Sequence, residues 1–334
     1  MLAVCLGAAA AAHAASLRYS VMELGTLGGG QSTGYAIDAH GQVTGEAVSA
    51  NGLLRAFVFT PGRGMQDIGT LGSETSIGYG INSRGQVTGE SVTAAGTGRA
   101  FLYTPRKGMV DLGTLGGATS VGYAINSRGQ VTGESVTPNG LRRAFLYTPR
   151  KGMVDLGTLG GASSVGHAIN SHGEVTGNSV TANGAEHAFL YAPGKGMIDL
   201  GTLGGATSTG FGINARGEVT GESVTADGLQ RAFRQSPGGG MVDLGTLGGA
   251  SSAAYAINAS GQIVGQSTTH DGDMHAFLYT AGAMLDLNTL IATRLAQHLT
   301  LTSARALNDA GWIIANGIDS STGETGTYLL IPQY

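Results

Sequence analysis

Short apolar runs, many of them alternating, follow one another along most of this chain, separated by Gly, Asn and Pro. Between residues 123 and 156 four such runs read as strands. Residues 123–126 are the first. Asn126-Ser127-Arg128-Gly129 then makes a tight turn, because Asn can form a local side-chain hydrogen bond and Gly is free to take positive φ. Residues 130–136 are the second strand, and a loop at 137–141 leads to the third at 143–148. That strand sets Phe145 and Tyr147 on one face and Ala144 and Leu146 on the other. Pro149-Arg150-Lys151-Gly152 turns the chain into a fourth strand at 153–156, and only the link at 157–165 is long. Three hairpins and one glycine-rich step describe a four-stranded antiparallel meander, the pattern of a β-propeller blade.

The meander recurs. Leu24, Ile68, Leu112, Leu156, Leu200 and Leu244 open a Leu-Gly-Thr-Leu-type motif every 44 residues, and Leu287-Asn288-Thr289-Leu290 follows after 43. A β-solenoid would use shorter coils without three hairpins each. First strands carrying Ile37, Ile81, Ile125, Ile169, Ile213, Ile257 and Leu307 count seven blades. The seventh copy holds three strands, at 304–308, 312–317 and 327–331, and residues 19–24 read as an orphan fourth. The predicted fold is therefore all-β: a seven-bladed β-propeller of four-stranded antiparallel blades, closed by an N-terminal strand joining the last blade. Such closure hides two sheet edges. One domain spans residues 16–334. The last copy has seven extra residues before Ala306, and apolar positions 291, 295, 296 and 299 predict a short amphipathic helix over the seam. Trp312, the one Trp, is expected in the core of that blade.

Comparing the copies suggests cross-strand staples. Third strands that begin with Arg55, Arg99, Arg143 or Arg231 accompany Glu46, Glu90, Glu134 or Glu222 on the second strand. Where the basic residue is His187 or His275, the acid is Asn178 or Gln266. The nine-residue spacing predicts Glu/Arg pairs of structural role, each worth about 0.2–1 kcal/mol. The elements His187-Ala188-Phe189 and His275-Ala276-Phe277, with Asn-x-x-Gly-x-Val-x-Gly and Asp-Leu-Gly-Thr-Leu-Gly-Gly around them, resemble the bacterial extracellular HAF repeats. Four copies have Arg in place of the first His, and the seventh has Gly326. The resemblance implies an exported repeat protein and carries over no catalytic or ligand residue.

Composition adds limits. Charged residues are 12% of the chain, 41% is hydrophobic and the formal net charge is −4, which argues against disorder and gives no reason to expect nucleic acid. Residues 2–12 are apolar and end in Ala12-His13-Ala14, the small-x-small form of a signal-peptidase site, although no Lys or Arg precedes them. Residues 1–15 are thus signal-peptide-like and too short to span a membrane. The predicted location is secreted, periplasmic or on the surface of a bacterium. Cys5, the single cysteine, lies within that segment.

The acidic column Glu23, Asp67, Asp111, Asp155, Asp199, Asp243 and Asp286 recurs once per blade, as expected of turn caps. Departures from the repeat are the places to seek chemistry. Blade four carries His167, His172 and His187, and blade six carries His270, Asp271, Asp273 and His275, a weak metal candidate. No catalytic residue and no cofactor site is assigned. Alternate connections of a meander emerge at opposite ends, so one face collects Arg84, Arg106, Lys107, Arg128, Arg150, Lys151, Lys195 and Arg216. An anionic polysaccharide or another surface protein is the partner such a face implies. The sequence therefore reads as a non-enzymatic binding or scaffold module, with a periplasmic hydrolase or lyase acting on polysaccharide as the alternative.

Overall fold

A computed structural model describes residues 17–291 and 297–333. It contains seven four-stranded antiparallel sheets. Blade one is built from Gly28–Ile37, Val43–Ser49, Leu54–Thr60 and Gly64–Asp67, and blades two to six repeat that order. First strands of successive blades touch in a closed cycle, so they line the central axis and the fourth strands lie outermost.

The seventh blade joins the two ends of the described chain. Leu299–Leu307, Ile313–Asp319 and Thr325–Gln333 are followed in the sheet by Arg18–Glu23, in register from Arg18 opposite Gln333 to Glu23 opposite Tyr328. Leu24 N–H donates to Thr327 C=O, and Tyr19 N–H to Leu290 C=O, which pins the strand at both ends. Trp312 lies at the seam, packed with the core of blade one, where a Cβ on Gly41 would sit 2.3 Å from its ring. Gly41 also has φ +79°, so both space and backbone require glycine there. Of the predicted helix at 291–299, residues 292–296 lie outside the described part of the chain, as does the signal-peptide-like segment 1–15. Ile291 and Leu299, which flank that insertion, are buried in the seventh-blade core.

Blades adhere through a repeated apolar layer. Ala100 and Leu112 of blade two pack with Ile125, Val131 and Phe145 of blade three, and the same set recurs around the ring. Phe57, Phe101, Phe145, Phe189, Phe233 and Phe277 are fully buried, each contributing about 1.5–3 kcal/mol. Between most neighbouring blades a serine adds a polar rivet: Ala144 N–H donates to Ser164 Oγ at 2.9 Å, and that hydroxyl donates to Gly157 C=O.

Nearer the axis, each Asn-x-x-Gly turn is tied to the next. Asn82 Nδ2 donates to Asn126 C=O, Asn126 to Asn170, Asn170 to Asn214, Asn214 to Asn258, Asn258 to Asn308, and Asn308 to Asp38, at 2.9–3.2 Å. The relay has seven positions and six donors. Asp38 stands where the other blades have Asn; its Oδ1 caps the turn, accepting from the N–H groups of His40 and Gln42. Its Oδ2 is buried without a hydrogen bond, with His40 Nδ1 at 3.5 Å. Asp38→Asn should therefore supply the missing donor and remove a buried charge, stabilising the protein by about 1 kcal/mol. A thermal melt should show a rise of roughly 2 °C in Tm; an unchanged or lower Tm would mean that the seventh link does not form.

Candidate functional site

Every first strand carries a bulge at the same position, between Gly34 and Ala36 in blade one and between Ala304 and Ala306 in blade seven. A bulge re-aims the extra side chain. Here those side chains are Tyr35, Tyr79, Tyr123, His167, Phe211, Tyr255 and Arg305. The six rings follow one another around the axis with centroids 5.3–5.6 Å apart and planes tilted by 41–58°, favourable aromatic geometry. The Arg305 guanidinium lies 4.5 Å from the Tyr255 centroid, a cation–π contact.

The glutamate column supports this ring. Tyr35 Oη donates to Glu46 Oε1 at 3.0 Å, and His167 Nε2 and Asn178 Oδ1 are 2.8 Å apart. Burial, then the charge of Glu46, raises the Tyr35 phenol far above its ordinary range; burial, then Glu90, raises Tyr79 to about 12. Burial likewise raises the carboxyls of Glu90 and Glu222. His167 is pushed down to about 4, because burial outweighs the Asn178 hydrogen bond.

The predicted Glu/Arg staples are not formed. Glu46, Glu90, Glu134 and Glu222 stand opposite Ala56, Ala100, Ala144 and Ala232, one residue out of line with Arg55, Arg99, Arg143 and Arg231. A one-residue offset sends side chains to opposite faces of a sheet. Glu134 instead meets Arg142 at 3.5 Å, and Glu222 accepts from Gln230. The strand-three basic residues turn to the acidic column: Arg55 to Asp67 at 3.9 Å, Arg143 to Asp155 and Arg231 to Asp243 at 3.7 Å, His187 to Asp199 at 2.9 Å, and His275 to Asp286 at 2.7 Å. The same aspartates cap the link that follows, as Gly157 N–H donates to Asp155 Oδ1 at 2.7 Å.

This geometry also disposes of the histidine clusters. His167 sits in the axial ring, His172 is exposed on a first turn and His187 is engaged by Asp199, so the three do not converge. In blade six His275 is held by Asp286, while His270, Asp271 and Asp273 are exposed around a tight turn. Among the described residues no three His, Cys, Asp or Glu side chains are grouped to hold a metal ion.

Two faces differ in charge. First and third turns meet at one end of each blade, as Gln86 Nε2 donating to Thr104 Oγ1 shows. Arg84, Arg106, Lys107, Arg128, Arg150, Lys151, Lys195 and Arg216 are all exposed there. Arg216 is also paired with Glu218, a carboxyl that burial would raise but that Asn214, Arg234 and Arg216 hold down at about 2. A shallow cavity of ≈ 290 Å³ opens at the centre of this face, lined by Ile81, Asn82, Ile257, Asn258, Leu307 and Asn308 among others. The acidic column lies at the other end of the blades, where the links and second turns gather. No helix of the described residues is long and apolar enough to cross a membrane.

No protein-family model matches the chain, and no curated protein matches it in sequence. Solved structures do resemble it. YCF48 bound to D1 peptide has a TM-score of 0.53 at 10% identity over 94% of this chain and 96% of that one. The putative TolB from Agrobacterium tumefaciens gives 0.52 at 13% identity over 81% and 99%. A puromycin-hydrolyzing peptidase of Mycobacterium tuberculosis gives 0.58 at 10% identity, over 92% of this chain but 55% of that one. At such identity the likeness speaks for the fold alone, and with the sheet order above it makes this chain a seven-bladed β-propeller.

Two outcomes follow. In a double-mutant cycle, Arg143 and Asp155 should show a coupling of about 0.2–1 kcal/mol while Arg143 and Glu134 show none, measured by urea unfolding. His167 favours its neutral form in the fold, so the stability it contributes is complete above pH ~6.5, the unfolded value, and is lost as pH falls through about 4. His167→Tyr should flatten that part of the pH–stability curve; a variant that loses stability in parallel with the parent between pH 6.5 and 4 would contradict the burial of the ring.

Proposed function

We propose that this protein is an exported, non-enzymatic repeat propeller of the HAF kind that works as a binding or scaffold module at the cell surface or in the periplasm. Its turn face is the docking surface, and its partner is anionic, an acidic polysaccharide in the first instance. The observation that carries this reading is the separation of charge between the two ends. Exposed Arg and Lys crowd the first and third turns, whereas the aspartate column sits at the opposite end, paired to strand-three cations. A cationic face of this kind raises the local concentration of an anionic partner and speeds its encounter.

The third turns add support. Arg106 and Arg150 take φ of +66° and +71°, where blades one, four and five place Gly62, Gly194 and Gly238. A non-glycine residue in that region costs on the order of 1 kcal/mol, and in these two blades the substitution adds an exposed cation at the turn tip. Blade six has a third turn one residue shorter, Thr280 pairing with Ala283, in which Ala281 and Gly282 both take positive φ, so it offers no counterpart to these two Arg residues. Among fold relatives, YCF48 is described bound to D1 peptide, so receiving a peptide partner lies within the repertoire of this architecture. The hydrolase alternative drew on the blade-four and blade-six histidines, and these are dispersed or already paired.

The test is retention on an immobilised acidic polysaccharide at low salt. The parent should bind polygalacturonate or heparin and elute with added salt, since the Debye length shrinks from ~30 Å at 0.01 M to ~10 Å at 0.1 M. Arg106, Lys107, Arg150 and Lys151 changed together to Glu should abolish retention without altering the melt. Equal retention of both proteins, or equal binding to neutral dextran, would count against the turn face.

A further inference from the structure

The seventh blade lacks the basic side chain, Arg or His, that its siblings carry. Position by position, Gly326 corresponds to Arg55, Tyr328 to Phe57 and Glu23 to Asp67, because Tyr328 faces Glu23 across the ladder as Phe57 faces Asp67. In blades three and five the strand-three guanidinium has two acceptors. Arg143 reaches Asp155 and the carbonyl of Ala162 on the next link, and Arg231 reaches Asp243 and the carbonyl of Ala250. At the seam the corresponding groups are Glu23 and Gly30. Both line a cavity of ≈ 380 Å³ that Gly326 leaves open, together with Glu324, Asp319 and Tyr328.

A second observation points to a ligand. Tyr328 is 3% exposed, and its hydroxyl makes no hydrogen bond among the described residues. That hydroxyl is aimed at the missing side chain, since a Cβ on Gly326 would lie 3.2 Å from it. The ring is buried while the hydroxyl opens on the cavity, where it can donate to or accept from an incoming group. Burial first, and then the charges of Glu23, Asp319 and Glu324, push the phenol up and keep it protonated. Asp319 spends one oxygen on its own turn, accepting from Ser321 N–H and Oγ, while Glu23 makes no ion pair among the described residues. The volume stands at the small end of the ~300–1,000 Å³ typical of ligand pockets, with a more polar lining than is usual.

We infer that the seam cavity is a binding site for a guanidinium group presented by a partner, an arginine side chain of a peptide or protein that takes the place left by Gly326. The charge-bearing planar fork forms an ion pair with Glu23 and donates to the Gly30 carbonyl, as Arg143 pairs with Asp155 and donates to Ala162, and the Tyr328 hydroxyl receives or returns one further hydrogen bond. Arginine is favoured over lysine because two acceptors set apart suit a fork better than a point charge. The site is on the link end of the ring and is independent of the basic turn face, so either can fail without the other.

The probe is N-acetyl-arginine methylamide, titrated into the full chain at low ionic strength and followed by calorimetry or by the amide NMR signals of residues 23–30 and 319–328. One saturable site is expected, with the lysine analogue binding at least fivefold more weakly. Glu23→Gln should weaken arginine binding at least tenfold and Tyr328→Phe severalfold, both with melts close to the parent. Arg143→Gly should open a second site beside Asp155, raising the stoichiometry from one to two. Absence of saturable binding, equal affinity for the lysine analogue, or full binding by Glu23→Gln would overturn the assignment. So would a site that takes Ca²⁺ and not the arginine probe.

Discussion

The buried amide relay around the axis is the interaction on which the rest of the ring depends. Each Asn holds its own turn through Oδ1 and reaches the next blade through Nδ2, so one side chain fixes both the local backbone and the angle between neighbours. These groups are buried, where a satisfied hydrogen bond contributes about 1 kcal/mol and an unsatisfied one costs more. The Gly that ends each turn, the bulge that follows the inner strand and the ring of aromatic side chains all take their positions from this fixed angle. Asp38 shows how demanding the arrangement is: one atom changed from nitrogen to oxygen leaves a buried acceptor facing the position where six siblings donate.

Much of the fold was legible because it rests on local signals. Asn-x-x-Gly marks a turn, alternation marks a strand, and the period counts the blades; the orphan strand before Leu24 had one free edge to occupy. Register was not legible. Glu46 and Arg55 change together across the copies, yet two strands joined by a loop can pair in either parity, and the observed parity places Arg55 with Asp67. The acid column itself varied too little to reveal its partner. Covariation among copies was real but attached to the wrong pair, because blades four, six and seven depart at both columns at once.

The axial ring was missed for a different reason. A column reading Tyr, Tyr, Tyr, His, Phe, Tyr, Arg looks like ordinary strand residues until a bulge turns it toward the axis, and a bulge has no firm signature in a sequence already rich in glycine. The signal that could have found it was the aromatic or cationic character of that one position in all seven copies. His167 belongs to that column, and the apparent histidine cluster of blade four dissolves once His167, His172 and His187 are assigned to the axis, the turn face and the link end.

A closed ring of near-identical blades has little room for a unique site, since any feature built into the repeat appears seven times. The seam is the exception, because its blade is assembled from both ends of the described chain and must solve the packing problem with different residues. Ala315 replaces the glycine of the other blades: a Cβ on Gly45 would sit 1.9 Å from the Thr33 carbonyl oxygen and 2.9 Å from Phe57, so the first strand and the Phe both close on that position. The Tyr328 ring lies beside position 326 instead, where a Cβ would sit 3.2 Å from its hydroxyl, a tight contact that glycine relieves. The lost guanidinium, the exposed Glu23 and the open cavity thus follow from one exchange in the core of the closing blade. Structural compensation and a candidate recognition site are therefore the same event, seen from inside the blade and from its surface.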